Sequence, residues 1–381
     1  MDIALVFGGC HRRGGVERSV WEMARHLSER HAVSVYANDI EADGLEDVRL
    51  VPLDLASGRP LRPLRFASAA RNALAKRRHQ HIISFGVGDV GADVLWVNSV
   101  HRAWLRNSLD FRGSAGMQRF PFLRYLDPRH QILLGMEWHY FTQSRAKAVV
   151  NVSDTVGDDL HRLYRVPREV MTTIHNGFSR EEFSPERRRR LRSDSRAEFG
   201  YGDQDVVALI AANELVRKGF DVLTQAQALV GDPRLRVLLV GRRPPSKVQN
   251  ERLRYLGVAD RVTYAGSRTD MGRIHAAADI FVLPSQYEAF ALAVIEALAS
   301  GLPVITTVVP GAGDRINDHF NGLLLQDPRS ASELACLLAQ AMDSNERELW
   351  ASNAARSVVD LSWPHLFSEA EELLKSLSTR R

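Results

Sequence analysis

Residues 280–307 read Ile280-Phe281-Val282-Leu283-Pro284-Ser285-Gln286-Tyr287-Glu288-Ala289-Phe290-Ala291-Leu292-Ala293-Val294-Ile295-Glu296-Ala297-Leu298-Ala299-Ser300-Gly301-Leu302-Pro303-Val304-Ile305-Thr306-Thr307. Ile280–Leu283 is an unbroken apolar run, as a strand buried on both faces requires. Pro284 and Ser285 end it. The aliphatic stretch Leu292–Ser300 then has helical character until Gly301-Leu302-Pro303 stops it, a glycine-then-proline terminator. Val304–Thr307 is the next buried strand. Strand, helix and strand in this order form one βαβ unit and call for a parallel sheet.

The same alternation extends in both directions. In the second half, candidate strands are 206–211, 237–240, 262–264 and 323–325, with helical patterns at 220–230, 272–278 and 331–342. In the first half, 3–7, 33–36, 81–85, 94–97 and 148–152 read as short buried strands. Val16, Val20, Met23, Ala24 and Leu27 share one helical face. The fold class is therefore α/β, with two doubly wound, Rossmann-like domains, each binding ligands at the carboxyl ends of its strands. A basic, polar segment, Pro185 to Arg192, has no strand character and places the junction near 178–202.

Composition bounds the rest. A chain of 381 residues, 45% hydrophobic and 25% charged, is long enough for two cores. Cys10 and Cys336 lie far apart without metal-ligand spacing, which suits a reducing compartment. The N-terminal run lacks a preceding basic region and reads as a strand, and no stretch nears ~18 uninterrupted apolar residues. These features lead to an expectation of a cytoplasmic protein. The formal charge of +4 favours anionic partners without choosing among them.

Three segments could carry chemistry. Gly8-Gly9-Cys10-His11-Arg12-Arg13-Gly14-Gly15 joins the first strand to the first helix, where glycines admit a close ligand and a helix start favours an anion. Its spacing is not G-x-G-x-x-G, and a tight strand-to-helix turn explains it equally well. Arg217-Lys218-Gly219 follows the strand at 206–211 and suits a diphosphate, or is an exposed basic turn. In the opening stretch, Glu288 falls on the loop after the strand. The N–H groups of Ala289, Phe290, Ala291 and Leu292 would point outward from the helix start. Glu296 lies on an otherwise apolar helix, so its carboxylate needs a partner; sugar or ribose hydroxyls would serve, or both glutamates are simply solvated.

With Asn176-Gly177-Phe178, Val240-Gly241, Ala265-Gly266 and Gly301-Leu302-Pro303-Val304, these motifs resemble the family-4 retaining glycosyltransferases of GT-B fold, over nearly the whole chain. Leu126–Phe141 and Asn213–Gly219 look most like the lipopolysaccharide-core glucosyltransferases. The resemblance implies two domains facing each other across a cleft: 1–180 on the acceptor side and 181–362 for the nucleotide-sugar donor. A C-terminal helix, 363–381, would pack back toward the first. It implies that Glu296 binds the donor ribose and Glu288 the transferred sugar, helped by the N–H groups of 289–292. Arg217 and Lys218 would neutralise the diphosphate, Gly14 and Gly15 would approach it, and Gly241, Gly266 and Ser267 would line the nucleotide. His101 falls where relatives place a histidine near the reacting sugar, although a lone histidine after a strand is more often structural.

The resemblance also implies front-face, retaining transfer of a hexose from a nucleotide sugar, UDP by default. No metal or other cofactor would be needed. Asp203-Gln204-Asp205, the one D-x-D, reads as a turn after Gly202. Two departures stand out: relatives usually have Arg near Asn213, shifting the phosphate charge onto Arg217 and Lys218, and Gly at Ala291, where a methyl bears on the sugar accepted.

The acceptor implied is a cell-surface glycan or glycolipid such as lipopolysaccharide core. A lipid carrier or a small molecule is the alternative. Residues 101–135 hold six arginines and five aromatics, a pattern suited to an anionic membrane surface or a phosphorylated glycan, or to a packed insertion with a solvated basic face. That adds a peripheral position on the inner face of the cytoplasmic membrane to the expectation, and nucleic acid is not expected. Readings of another class are a nucleotide-sugar epimerase and a non-catalytic nucleotide-sugar-binding module. A polyanion binder would use Arg187–Arg192, a run better explained as a solvated helix face.

Overall fold

The computed structural model describes residues 1–55, 61–86, 88, 90–114, 125–309, 311 and 313–379, with backbone alone within 108–114. The chain divides into two units, Met1–Gly177 with Trp363–Arg381, and Phe178–Ser362.

The first unit holds β1 (Asp2–Val6), β2 (Gly9–Cys10), α1 (Gly15–Ser28), β3 (Ala32–Ala37), β4 (Asp39–Ile40), β5 (Val48–Pro52), α2 (Arg62–Leu74), β6 (His81–Ser84), β7 (Val94–Val97), α3 (His101–Ser114), α4 (Pro128–Thr142), β8 (Ala148–Asn151), α5 (Asp154–Tyr164) and β9 (Met171–Thr173). Seven strands form a parallel sheet in the order β5-β3-β1-β6-β7-β8-β9, and β2 pairs with β4 beside it. The apolar face of α1 covers the sheet, with Val20, Met23, Ala24 and Leu27 fully buried.

The second unit holds α6 (Pro185–Glu198), β10 (Val206–Ala211), α7 (Phe220–Val230), β11 (Leu235–Val240), α8 (Lys247–Tyr255), β12 (Val262–Tyr264), α9 (Met271–Ala277), β13 (Ile280–Leu283), α10 (Leu292–Ala299), β14 (Val304–Thr307), β15 (Gly322–Leu325), α11 (Ala331–Ala341) and α12 (Ser344–Ala354). Its six parallel strands run β12-β11-β10-β13-β14-β15. The order reverses between β10 and β13, so their carboxyl ends flank the switch point of the sheet. The last helix, α13 (Trp363–Thr379), packs on α1 of the first unit: Phe367 lies against His26, and buried Glu371 meets Arg30 and His31.

Several elements depart from the sequence reading. β5 and β9 were not foreseen, because edge strands with an exposed face lack the continuous apolar run of central ones. The basic segment is the helix α6, with Ser184 capping it by accepting the Arg187 N–H at 3.3 Å. Its basic face is not simply solvated. Arg188, Arg192 and Arg196, four residues apart, all turn inward. Arg188 donates to the Ala278 and Gly301 carbonyls, while Arg192 and Arg196 grip Asp279 at 2.6 and 3.0 Å. Burial pushes the Arg188 guanidinium down to about 10. Asp205 closes a turn on the Gly202 N–H and binds Arg236. Among the described residues no helix is long and apolar enough to cross a membrane.

Candidate functional site

In the second unit, the loops leaving β10 and β13 are stitched together. Gly219, at φ +77°, lies so close to Pro284 that any Cβ would overlap the Pro284 carbonyl, and the Gln286 N–H donates to the Arg217 carbonyl at 3.0 Å. Only glycine combines that left-handed conformation with that approach. The contact brings Arg217 and Lys218 onto Glu288. The Oε1 of Glu288 accepts from Lys218 Nζ at 2.5 Å, Ser285 Oγ at 2.7 Å and Arg217 Nη1 at 3.1 Å. Arg217 also binds the Tyr287 carbonyl at 2.5 Å and Glu214 at 3.0 Å. Glu288 is 6% exposed. Burial pushes its carboxyl up, but Lys218 and Arg217 together outweigh burial and hold it below the ordinary carboxylate range. The sequence singled out three of these residues. It missed Ser285 as a ligand of Glu288.

The helix start differs from expectation. α10 begins at Leu292, and the Ala291 N–H is taken by the Gly311 carbonyl at 3.1 Å. The Leu292 N–H closes on the Phe290 carbonyl at 3.1 Å. Of the four N–H groups expected to point outward, these two are thus engaged, because residues 289–291 form a tight turn against the loop at 311. Ala291 sits at φ −86°, a conformation open to any residue, and is buried. Glu296 is 6% exposed on α10 between Ile295 and Ala297, and it is not without a partner. A merely solvated pair of glutamates is excluded by this burial.

Gly241 and Gly266 lie at the exits of β11 and β12, joined by the Gly241 N–H to the Gly266 carbonyl at 3.0 Å; Ser267 next to them is exposed. Asn213, at the exit of β10, accepts the Arg242 N–H at 2.9 Å.

In the first unit, Gly14 caps α1 and Gly15 opens it, with space beside Gly15 for a Cβ. The cations of this loop are paired locally: Arg12 with Glu41 and Asp43, Arg13 with Asp39. His101 starts α3 and lines a cavity of about 220 Å³ with Phe7, Phe85, Trp96, Asn98, Leu133 and Tyr140 among its walls. Its ring stacks on Trp104 and His130, with Nε2 at 3.1 Å from His130 Nδ1. Burial, and then His130, push the imidazole down to about 4, so it is neutral at neutral pH.

The fully buried Glu137 fixes this position. It accepts the N–H groups of His101 at 2.5 Å and Arg102 at 3.0 Å, and the Tyr164 hydroxyl at 2.5 Å. Burial lifts its carboxyl above the ordinary range, and Tyr164 is the first of several donors that partly offset this. Sequence reasoning missed Glu137, although the signal was present: a carboxylate between Leu133 and Tyr140 on a helix. Asn98 was also missed. Its amide nitrogen and oxygen, and the Trp96 Nε1, are buried without hydrogen-bond partners among the described residues. The side chains of Arg112, Arg119 and Arg124, central to the basic aromatic segment, lie outside the described residues.

Comparison with known proteins matches residues 13–182 to the model "Glycosyltransferase Family 4" and 192–358 to "Glycosyl transferases group 1". The lipopolysaccharide glucosyltransferase WaaG of Escherichia coli K12 is 26% identical over 347 residues, 90% of either chain. A solved structure of WaaG superposes with a TM-score of 0.81 at 24% identity, covering 98% of this chain and 99% of that one. Anabaena HepE, solved with UDP and glucose, gives 0.75 at 19% identity over 99% and 100% of the two chains. Both solved structures speak for the fold.

Proposed function

Because the chain belongs to the family-4 glycosyltransferases, with the two Rossmann-like domains of the GT-B fold, we propose that it transfers a hexose with retention from a nucleoside diphosphate sugar to a cell-surface glycan such as lipopolysaccharide core. The donor is first of all a UDP-sugar. The observation that supports this best is the buried Glu288 held by Lys218, Arg217 and Ser285 at the switch point of the second sheet. Cations bound to a carboxylate can be handed to a leaving diphosphate, while the carboxylate turns to sugar hydroxyls. Once placed there, such groups stabilise the charge that develops on the leaving group. In this reading Glu296 takes the ribose hydroxyls, Gly14, Gly15, Gly241, Gly266 and Ser267 line the nucleotide, and His101, neutral and held by Glu137, meets the reacting sugar. The step as proposed needs no metal, since cationic side chains, Lys218 and Arg217 first among them, face the leaving group.

The names of the relatives favour a transferase over an epimerase or a non-catalytic module. The acceptor class rests on WaaG, and the nucleotide on HepE. Work in the cytoplasm, on the inner face of the membrane through residues 101–135, belongs to the same proposal. Sedimentation with vesicles containing anionic lipid tests that part, and a protein that stays in the supernatant refutes it. For the reaction, the protein is incubated with UDP-, GDP- and ADP-sugars and release of nucleoside diphosphate is followed. Slow hydrolysis of one donor, lost in Glu296→Ala, is expected. Undiminished donor turnover in that variant would contradict the assignment.

A further inference from the structure

At the strand exits of the second unit the positive charge is already matched. Arg217 and Lys218 share Glu288, and Arg217 also holds Glu214. Two cations therefore face two carboxylates before any ligand arrives, whereas a diphosphate needs a positive surplus. One strand over, β11 ends at Val240, in register with Ala211 at the end of β10. The loop that follows is Gly241-Arg242-Arg243-Pro244-Pro245, closed by Ser246 and Gln249, which form a capping box at the start of α8.

This loop is fastened at every turn. The Arg242 N–H donates to Asn213 Oδ1 at 2.9 Å, the Gly241 N–H to the Gly266 carbonyl at 3.0 Å, and the Tyr264 hydroxyl to the Gly241 carbonyl at 2.8 Å. A Cβ on Gly241 would overlap the Ala212 carbonyl, so the two exit loops touch there. Gln249 ties the start of α8 to Asp221 at 3.1 Å, and two prolines remove further freedom. Yet Arg242 and Arg243 are exposed, and among the described residues neither guanidinium reaches a carboxylate or a carbonyl. A rigid backbone that presents two uncompensated guanidinium groups beside the switch point is preorganised for an anion, and the planar guanidinium matches phosphate oxygens in pairs.

We propose that Arg242 and Arg243 bind the diphosphate of the donor nucleotide and supply the positive surplus that the Glu288 cluster lacks, with Asn213 holding their loop in position. Asn213 brings no charge of its own; its amide oxygen fixes the backbone from which the charge is offered. This rests on the donor reading above.

The test is isothermal titration of the full chain with UDP, GDP and ADP, and then with the nucleoside of whichever binds. For Arg242→Gln/Arg243→Gln, the diphosphate Kd should rise about tenfold or more, the scale of a lost charge-assisted contact, and the loss should shrink as salt is added. The nucleoside Kd should stay within about twofold, as no charge is involved. Asn213→Ala should fall between wild type and the double variant. Arg252→Gln/Arg254→Gln, the same charge change on the exposed part of α8, should leave the diphosphate Kd unchanged. An unaltered Kd in the first double variant overturns the proposal. So does an equal loss for the nucleoside, which would move the contact to base or ribose, or an equal loss in the α8 control. A wild type that binds none of the three nucleotides overturns the donor reading itself, and the arginine proposal with it.

Discussion

Glu288→Gln should separate affinity from turnover. The substitution keeps the side-chain shape and removes its charge. In the native site Oε1 accepts from Lys218 at 2.5 Å, Ser285 at 2.7 Å and Arg217 at 3.1 Å. A hydrogen bond between charged groups is worth roughly 1 kcal/mol more than a neutral one, so losing the charge on two cationic contacts costs about 2 kcal/mol of stability. At about 2–4 °C per kcal/mol for a domain of this size, Tm falls by roughly 4–8 °C.

The charge balance moves the other way. With Glu288 neutral, the cluster of Arg217, Lys218 and Glu214 gains one uncompensated cation. At an effective dielectric of about 20 and roughly 5 Å to a phosphate, that cation contributes ~3 kcal/mol gross. Taking about a third as surviving solvent and the exposure of Glu214, nucleoside diphosphate should bind about fivefold tighter. Sugar transfer should fall by about 10²-fold, since the sugar loses a charged acceptor. Titration calorimetry and single-turnover release of the nucleotide measure the two separately. A Kd that weakens in step with the rate would make Glu288 only a strut. Wild-type stability carries the matching signature: since the folded carboxyl lies below its ordinary range, its contribution is present above that range and is lost as pH falls through the lowered value. The Gln variant should lack this limb.

Three other outcomes follow from particular contacts. Gly219→Ala should cost about 2–4 kcal/mol, because it joins a left-handed φ to an overlap with Pro284, whereas Gly231→Ala, at φ +68° with open space, should cost only about 1 kcal/mol in the same urea titration. Asp279→Ala leaves the inward-facing Arg192 and the buried Arg196 without their carboxylate and should cost ~3–5 kcal/mol in denaturant unfolding; a loss below ~1 kcal/mol would show that the carbonyls alone satisfy them. His101 is held neutral in the fold down to about 4, so stability should decline as pH drops from roughly 6.5 toward 4, where the unfolded chain takes up the proton first. In His101→Gln that part of the slope should disappear, and an unchanged slope would show that the imidazole is not buried as described.

The parts of this structure legible in the sequence are those in which one short segment contains its own explanation. β13, α10 and β14 could be read because strands buried on both faces are continuously apolar and because Gly301 and Pro303 mark the break between helix and strand. The edge strands β5 and β9 could not, since half of each faces outward. Glu288, Arg217 and Lys218 were visible as charges at strand exits, but their mutual pairing was not, because it depends on Gly219 meeting Pro284 across 65 residues. The same limit hid Glu137, whose carboxylate holds an N–H 36 residues away. It also reversed the reading of α6: the basic run looked solvated until Asp279 and the carbonyls of Ala278 and Gly301 were brought against its 188–192–196 face.

A crystal structure of the protein with the nucleoside diphosphate that it binds tests the central claim most directly. The ribose hydroxyls should lie within hydrogen-bonding distance of the Glu296 carboxylate and the diphosphate at the exits of β10 and β11, with Lys218 turned from Glu288 toward it. A nucleotide whose ribose lies away from Glu296, with Lys218 still bound to Glu288, would contradict it.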